Sequence, residues 1–256
     1  MTTSSRLHSL ASNPNSDLSK FNTAEQGSKE WWSRRRDKMS GSKIANLCFL
    51  NSEEERKIYY EEVFGLRPRK PLDAEAMKRC KYGTDHEIDG VNNMLHQLHD
   101  ANMWEIGYEE HKKHGAWFGS SPDGVIHWPN KYPDEPWGAV EVKCSTKKKN
   151  NVTIPHAGVP YYYIGQMHAE MKCMPLPHPC KYTVFVSWSE SKCKMFIVKF
   201  SESLWNLMWD LVVDFALNDT TWEAFKQKRD AFVAASKVEA KRAQALHPRG
   251  GFDTVK

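Results

Sequence analysis

At Trp104 the hydrophobic pattern of the chain changes period. Before it, apolar residues recur every three or four positions, as in amphipathic helices. After it, short alternating or continuous apolar runs mark strands. These runs are Trp104 to His111, Val125 to Trp128, Ala139 to Cys144, Tyr182 to Ser187 and Lys194 to Phe200. A helical stretch, Tyr161 to Cys173, separates the third from the fourth. Helices first, then strands interrupted by a helix, predict an α/β chain with helices packed on a mixed sheet.

The flanking helices are legible too. Glu25 to Lys38 is dense in Trp and Arg, and Ser40-Gly41-Ser42 opens a short helix through Leu47. Glu53 to Phe64 is charged and amphipathic, and a Pro-containing loop, Gly65 to Leu72, follows. Cys80, Thr84, Glu87, Val91, Met94 and Leu98 then form one helical stripe. Glu87 thus falls in line with apolar residues, where a bare carboxylate is costly. Leu204, Leu207, Leu211 and Phe215 mark a further helix. Thr220 with Glu223 reads as a capping box starting a last one that runs to Leu246. A connection around Ser189 to Ser191 looks like a hairpin, and there are no internal repeats. The expected organisation is a disordered arm over 1–22, one domain over 23–246 and a flexible tail over 247–256.

Composition bounds the function. Apolar residues make up 40% of the 256, enough for a core, and no apolar run is long enough to span a bilayer. The formal charge of +4 permits nucleic-acid binding without arguing for it, so any DNA contact needs a local basic patch. The six cysteines form no C-x-x-C pair, which fits a reduced intracellular protein.

The chemistry concentrates in Ser121-Pro122-Asp123-Gly124 and Glu141-Val142-Lys143. In a strand, Glu141 and Lys143 share a face while Val142 points into the opposite layer. Asp123 sits at a Pro-Gly turn leading into Val125-Ile126, and pairing the two strands would bring it to Glu141. Two close carboxylates repel each other unless a cation lies between them, and hard oxygen ligands suit Mg²⁺ or Mn²⁺. Short motifs are frequent by chance. On the residues alone, a metal nuclease centre and a surface turn Asp beside a cross-strand Glu–Lys pair both remain open.

The Asp, then E-x-K, pattern resembles the PD-(D/E)-x-K nuclease superfamily, and more narrowly the phage lambda-type exonucleases or YqaJ-like viral recombinases. Glu25-Gln26-Gly27, Trp31, Arg35 and Met39-Ser40-Gly41-Ser42 resemble that family's amino-terminal segment. Tyr82-Gly83-Thr84 with Glu87 resembles its W-G-x-x-x-E helix, and Tyr163-Ile164-Gly165-Gln166 its Y-x-x-Q helix. Tyr82 stands in place of the usual Trp, and Ser145 where a Pro commonly follows Cys144.

The resemblance implies a restriction-endonuclease-like core, a central mixed sheet flanked by helices. It implies Asp123, Glu141 and the Val142 carbonyl as metal ligands, with Glu87 serving a second ion or its waters. Lys143 would act on the nucleophilic water, and Gln166 would position that lysine or the scissile phosphate. Arg35 and Ser42 would hold a terminal 5′-phosphate; a Ser at a helix start beside an Arg also suits phosphate on physical grounds. The implied activity is 5′-to-3′ degradation of one strand of double-stranded DNA. It would release 5′-mononucleotides and leave 3′ single-stranded tails for recombination. Ring-shaped homotrimers and a single-strand annealing partner are implied as well. The rival readings are an endonuclease or repair nuclease, and a non-catalytic DNA-binding module on the same fold.

Other features carry less. Lys147-Lys148-Lys149 could track the DNA backbone, although a charge run is usually a solvated loop. Trp31 or Trp32 could wedge at a DNA end, but burial of at least one is the better expectation. Cys173, His178, Cys180 and Cys193 fit no compact zinc finger, and an iron–sulfur cluster gains little support from their spacing. His156 reads as a loop residue and His168 as packing.

Overall fold

A computed structural model of the chain describes residues 7–8, 21–176 and 180–246. The amino-terminal part is helical: α1 (Lys29–Arg35), a short strand β2 (Met39–Ser40), α2 (Gly41–Leu47), α3 (Glu53–Val63) and α4 (Ala74–Gln97). A strand β1 (Leu7–His8) precedes them. Then come β3 (Asn102–Trp104), β4 (Glu109–Glu110), β5 (Phe118–Ser120), β6 (Gly124–His127) and β7 (Trp137–Cys144). A small hairpin, β8 (Lys148–Lys149) and β9 (Val152–Thr153), leads to α5 (Tyr161–Cys173). The chain closes with β10 (Tyr182–Ser189), β11 (Lys192–Lys199), α6 (Glu202–Leu217), α7 (Trp222–Arg242) and β12 (Gln244–Leu246).

Among the described residues the main sheet has the order β1-β3-β6-β7-β10-β11-β12. It is mixed: β7 and β10 are parallel at its centre, while β6–β7 and β10–β11 are antiparallel. A parallel neighbour requires a crossover, and α5 supplies it. The alternation of β7 separates two layers. Val140 and Val142 pack with Val91, Met94 and Leu95 of α4 on one face. On the other, Phe185 and Phe196 pack with Ile164 and Met167 of α5, Met208 of α6 and Phe232 of α7.

A second sheet, β2-β5-β4, positions the site. Met39 and Ser40 pair in parallel with Phe118 and Gly119, which ties the start of α2 to the segment entering Asp123. Gly41 makes this approach possible. A Cβ there would lie 2.5 Å from the Ser120 hydroxyl and 3.3 Å from the Gln166 carbonyl, so α2 seats directly on α5.

Several expectations are corrected. The single strand over Trp104 to His111 is split between the two sheets, because Gly107 turns aside to donate its N–H to the Asn22 carbonyl at 2.9 Å. β5 was not foreseen in the sequence. Thr220 does not cap the last helix: Thr221 does, through Ala224 N–H, while Thr220 donates to Asp214 at 2.7 Å. That helix stops at Arg242, and Gln244–Leu246 joins the sheet edge against β11. The expected arm 1–22 is ordered at two places. Leu7–His8 pairs with Met103 and Trp104, and Phe21 is buried beside Trp104 and Ile106. Residues 1–6 and 9–20 of that arm, the tail 247–256 and His178 lie outside the described residues.

Candidate active site

The register of β6 and β7 builds the centre. Gly124 pairs with Val140, and just before it Asp123 donates its N–H to the Val140 carbonyl at 3.1 Å. The Asp123 carboxylate then accepts the Val142 N–H at 2.6 Å. Backbone groups two residues apart on a strand face the same edge, so the Val142 carbonyl points past the last β6 rung, toward Asp123. Glu141 and Lys143 project from the opposite side of the pleat to Val142 and form an ion pair. Gln166, from α5, donates to Glu141 Oε1 at 2.6 Å and to Glu170 Oε1 at 2.9 Å. Glu141 is 1% exposed and Glu170 0%, yet among the described residues no hydrogen-bond donor meets Oε2 of either.

Glu87 reaches this centre from the other layer. A Cβ at Gly90 would lie 2.6 Å from Val142 Cγ1, so this glycine lets α4 rest against β7 and brings Glu87, one turn earlier, to the sheet edge. The helical stripe is only half right: Val91 and Met94 are buried, whereas Cys80 and Thr84 are exposed. Glu87 is half-buried and lines a cleft of about 520 Å³ with Asp123, Gln26, Thr84 and Glu105.

The charges do not balance. Burial, then repulsion from Glu141 and Glu87, holds the Asp123 carboxyl well above its usual range, with Lys143 and the Val142 N–H opposing. Burial and Glu141 likewise raise Glu87. Glu170 is raised well above the ordinary range, first by burial and then by Glu141. Burial alone would lower the Lys143 ammonium, but Glu141 and Asp123 raise it, so Lys143 keeps its proton. Carboxylates in this excess want protons or a cation. Among the described residues no three His, Cys, Asp or Glu side chains converge into a ready-made cage. The donors suited to a hard ion are instead the free Oε2 of Glu141, Asp123 and a backbone carbonyl, a set that leaves positions for water.

A basic shelf adjoins the carboxylates. Arg35 Nη2 donates to Ser42 Oγ at 2.5 Å, and its guanidinium lies 4.5 Å over the Trp31 ring. Trp31 Nε1 in turn donates at 2.9 Å to Ser121, two residues before Asp123. Burial lowers the Arg35 pKa, and nearby Tyr108, Glu141 and Asp123 offset part of that. Trp31 is buried and Trp32 exposed. Lys43, which sequence reasoning missed, is buried beside this shelf; desolvation, Arg69 and Arg35 lower it to about 7. Glu170 was missed as well. Its only signal was a carboxylate one turn after Gln166 on the same helix.

Lys147, Lys148 and Lys149 are exposed, and the last two form β8 rather than a plain loop. Asn150 and Asn151, both at positive φ (52° and 64°), make the tight turn to β9. Ser145 uses its N–H to bond the Trp188 carbonyl at 2.8 Å, which a proline there could not do. His156 is held by Ser187 through its backbone N–H and Nδ1. His168 is buried: its Nδ1 meets the Ile164 carbonyl and its Nε2 accepts the Ser201 N–H. Cys173, Cys180 and Cys193 belong to different parts of the core.

Residues 30–175, over half the chain, match the family model of the YqaJ-like viral recombinase domain. The chain belongs to this family. The YqaJ-like segment contains Arg35, Ser42, Glu87, Asp123, Glu141, Lys143, Gln166 and Glu170, while α6, α7 and the last strands lie beyond it. Among solved structures, an alkaline exonuclease (LHK-Exo) from Laribacter hongkongensis is 19% identical with a TM-score of 0.51. The alignment covers 84% of this chain and 95% of that one. LHK-Exo in complex with dAMP is 20% identical with a TM-score of 0.52, covering 84% and 99%. These likenesses establish the fold, a restriction-endonuclease-like mixed sheet flanked by helices. No curated protein sequence matches the chain.

Proposed function

We propose that this YqaJ-like chain is a metal-dependent DNA exonuclease that degrades one strand of a duplex from its 5′-phosphorylated end. The observation that carries the reading is the divided state of Glu141. Lys143 and Gln166 take its Oε1, while its buried Oε2 has no donor among the described residues and Asp123 lies across the strand pair. A buried carboxylate oxygen without a donor is costly, and a hard cation would compensate it.

Asp123, Glu141 and the Val142 carbonyl would hold Mg²⁺ or Mn²⁺, with Glu87 serving a second ion through the cleft. Bound metal supplies a water nucleophile at neutral pH and offsets charge on the phosphate oxygens. Lys143, being protonated, orients that water or neutralises developing charge rather than acting as a base. Arg35 and Ser42 grip the terminal phosphate with charge-assisted hydrogen bonds. Trp31 links this grip to Ser121, which sets its distance from Asp123. The dAMP bound by the solved relative supports a nucleotide-sized product. The 5′-to-3′ polarity, release of 5′-mononucleotides, 3′ tails, a trimeric ring and an annealing partner rest on the family resemblance.

The test uses linear duplexes with 5′-phosphate or 5′-hydroxyl ends, in Mg²⁺ or EDTA. Metal-dependent release of mononucleotides, faster from the 5′-phosphate, is expected. Degradation from 3′ ends sinks the polarity. Equal cutting of closed circles replaces the reading with an endonuclease.

A further inference from the structure

We infer that Glu170 is a positioning residue: through the Gln166 amide it assigns the two oxygens of Glu141 different tasks, one to the protein and one to the metal. This rests on the nuclease reading above and adds a residue to it. Gln166 and Glu170 are four positions apart on α5, so they stack on the same face of the helix. The Gln166 amide nitrogen has two hydrogens, and each is taken by a different carboxylate, Glu141 Oε1 at 2.6 Å and Glu170 Oε1 at 2.9 Å. Turned the other way, the amide oxygen would face the Glu141 Oε1 acceptor, so the network seats the amide with its nitrogen inward.

That lock bears on Glu141. Its Oε1 receives Gln166 on one side and Lys143 on the other, which leaves no freedom to rotate the carboxylate. Its Oε2 is left as the other oxygen, buried and without a donor among the described residues. The arrangement predicts ligation through Oε2 alone. Without Glu170, one Gln166 N–H loses its acceptor, and the amide can turn and release Oε1. Glu170 also comes within hydrogen-bond reach of Glu141 itself, and a fully buried carboxyl with Gln166 as its one amide donor is an expensive way to fill a helix–sheet interface. Leu or Met would fill much the same volume at a fully buried position. The polar choice is accounted for if its role is to hold Gln166. Groups that hold a metal's ligands typically change affinity by about 10–100-fold when removed.

The experiment titrates Mn²⁺ into the full-length protein by calorimetry, and in parallel measures the Mn²⁺ concentration giving half-maximal cleavage. Glu170→Met should weaken Mn²⁺ binding by about 10-fold or more. Its half-activating concentration should rise in step, and its maximal rate should recover at saturating Mn²⁺. Glu170→Gln, which still presents an acceptor oxygen to Gln166, should keep most of the wild-type affinity. Wild-type Mn²⁺ affinity in a folded Glu170→Met protein overturns the inference. So does a Glu170→Gln loss as large as that of Glu170→Met, and so does a fall in maximal rate with no change in half-activating Mn²⁺. If Glu170→Met fails to fold, Glu170→Asp carries the test. Its shorter side chain withdraws the acceptor, and unchanged affinity there overturns the inference too. Absence of Mn²⁺ binding by the wild-type protein overturns the nuclease reading itself, a separate result from a variant that binds normally.

Discussion

Lys143 and the run Lys147-Lys148-Lys149 lie a few residues apart, and the fold puts them to opposite uses. Lys143 leaves the central strand β7 toward α5, where it pairs with Glu141 and lies 5.2 Å over the Tyr163 ring. Lys147 to Lys149 follow the end of that strand, exposed, on a hairpin turned by two asparagines. A charge in the first setting acts through a fixed geometry and a low local dielectric. A charge in the second acts through a screened field that extends about 8–10 Å at physiological salt. Identical side chains thus sit in a fixed, low-dielectric setting in one place and a screened, solvent-facing one in the other.

The largest expected effect tests the buried side. Glu141→Ala or Lys143→Ala should lower the cleavage rate by about 10²–10³ or more, while duplex binding in a gel-shift assay stays near wild type. Cleavage retained in either variant would remove the site assignment. Arg35→Ala stands between the two extremes, since its guanidinium is half-buried and bonded to Ser42. Losing a charged hydrogen bond worth about 1.5–3 kcal/mol should cut the preference for 5′-phosphate over 5′-hydroxyl ends by about 10–100-fold. Matched substrates measure this, and an unchanged preference would place the terminal phosphate elsewhere.

The pH response sharpens the same contrast. Asp123 and Glu87 have folded-state pKa values raised above their ordinary ones. Stability from such groups is fully present below the unfolded carboxylate range and is lost as pH rises through the raised values. Metal-free protein should therefore soften as pH rises above the ordinary carboxylate range, and Mn²⁺ should compensate increasingly. The melting-temperature gap between Mn²⁺ and EDTA should widen with pH. It should reach about 5–10 °C at a hundred-fold excess of metal over its Kd. A gap that narrows with pH would break the account of the carboxylates.

The smallest effect belongs to the exposed run. Replacing Lys147, Lys148 and Lys149 by Ala should leave the rate at saturating DNA unchanged. The slope of log affinity against log salt should fall by about one for each lysine that contacts phosphate. An unchanged slope makes the hairpin an ordinary solvated surface.

The strand alternation of Glu141-Val142-Lys143 and the turn at Asp123 were legible because a two-residue period and a Pro-Gly turn are local properties. So were α5, with the bounds Tyr161–Cys173, and the proximity of Asp123 to Glu141. The small sheet was not legible: Phe118–Ser120 is too short for a pattern, and its parallel partner Met39–Ser40 lies far upstream. The cap at Thr221 and the strand Gln244–Leu246 were missed because neighbouring threonines compete for one helix start, and because a terminal strand depends on an edge to pair with.

The sequence by itself determined the mixed α/β class and the family, and it put a carboxylate and an ammonium on one face of a buried strand. Periodicity and motif spacing carry that much, since both are written in consecutive residues. Only the tertiary structure decided that Arg35 and Ser42 meet beside Asp123, that Gly90 admits Glu87 to the sheet edge, and that Glu170 stands behind Gln166. The approach of the Arg35–Ser42 pair to Asp123 and of Glu87 to the sheet edge joins segments far apart in the chain, and Glu170, one turn from Gln166, faces the site because α5 packs on β7. These placements depend on how closely helices seat on strands, a matter of packing.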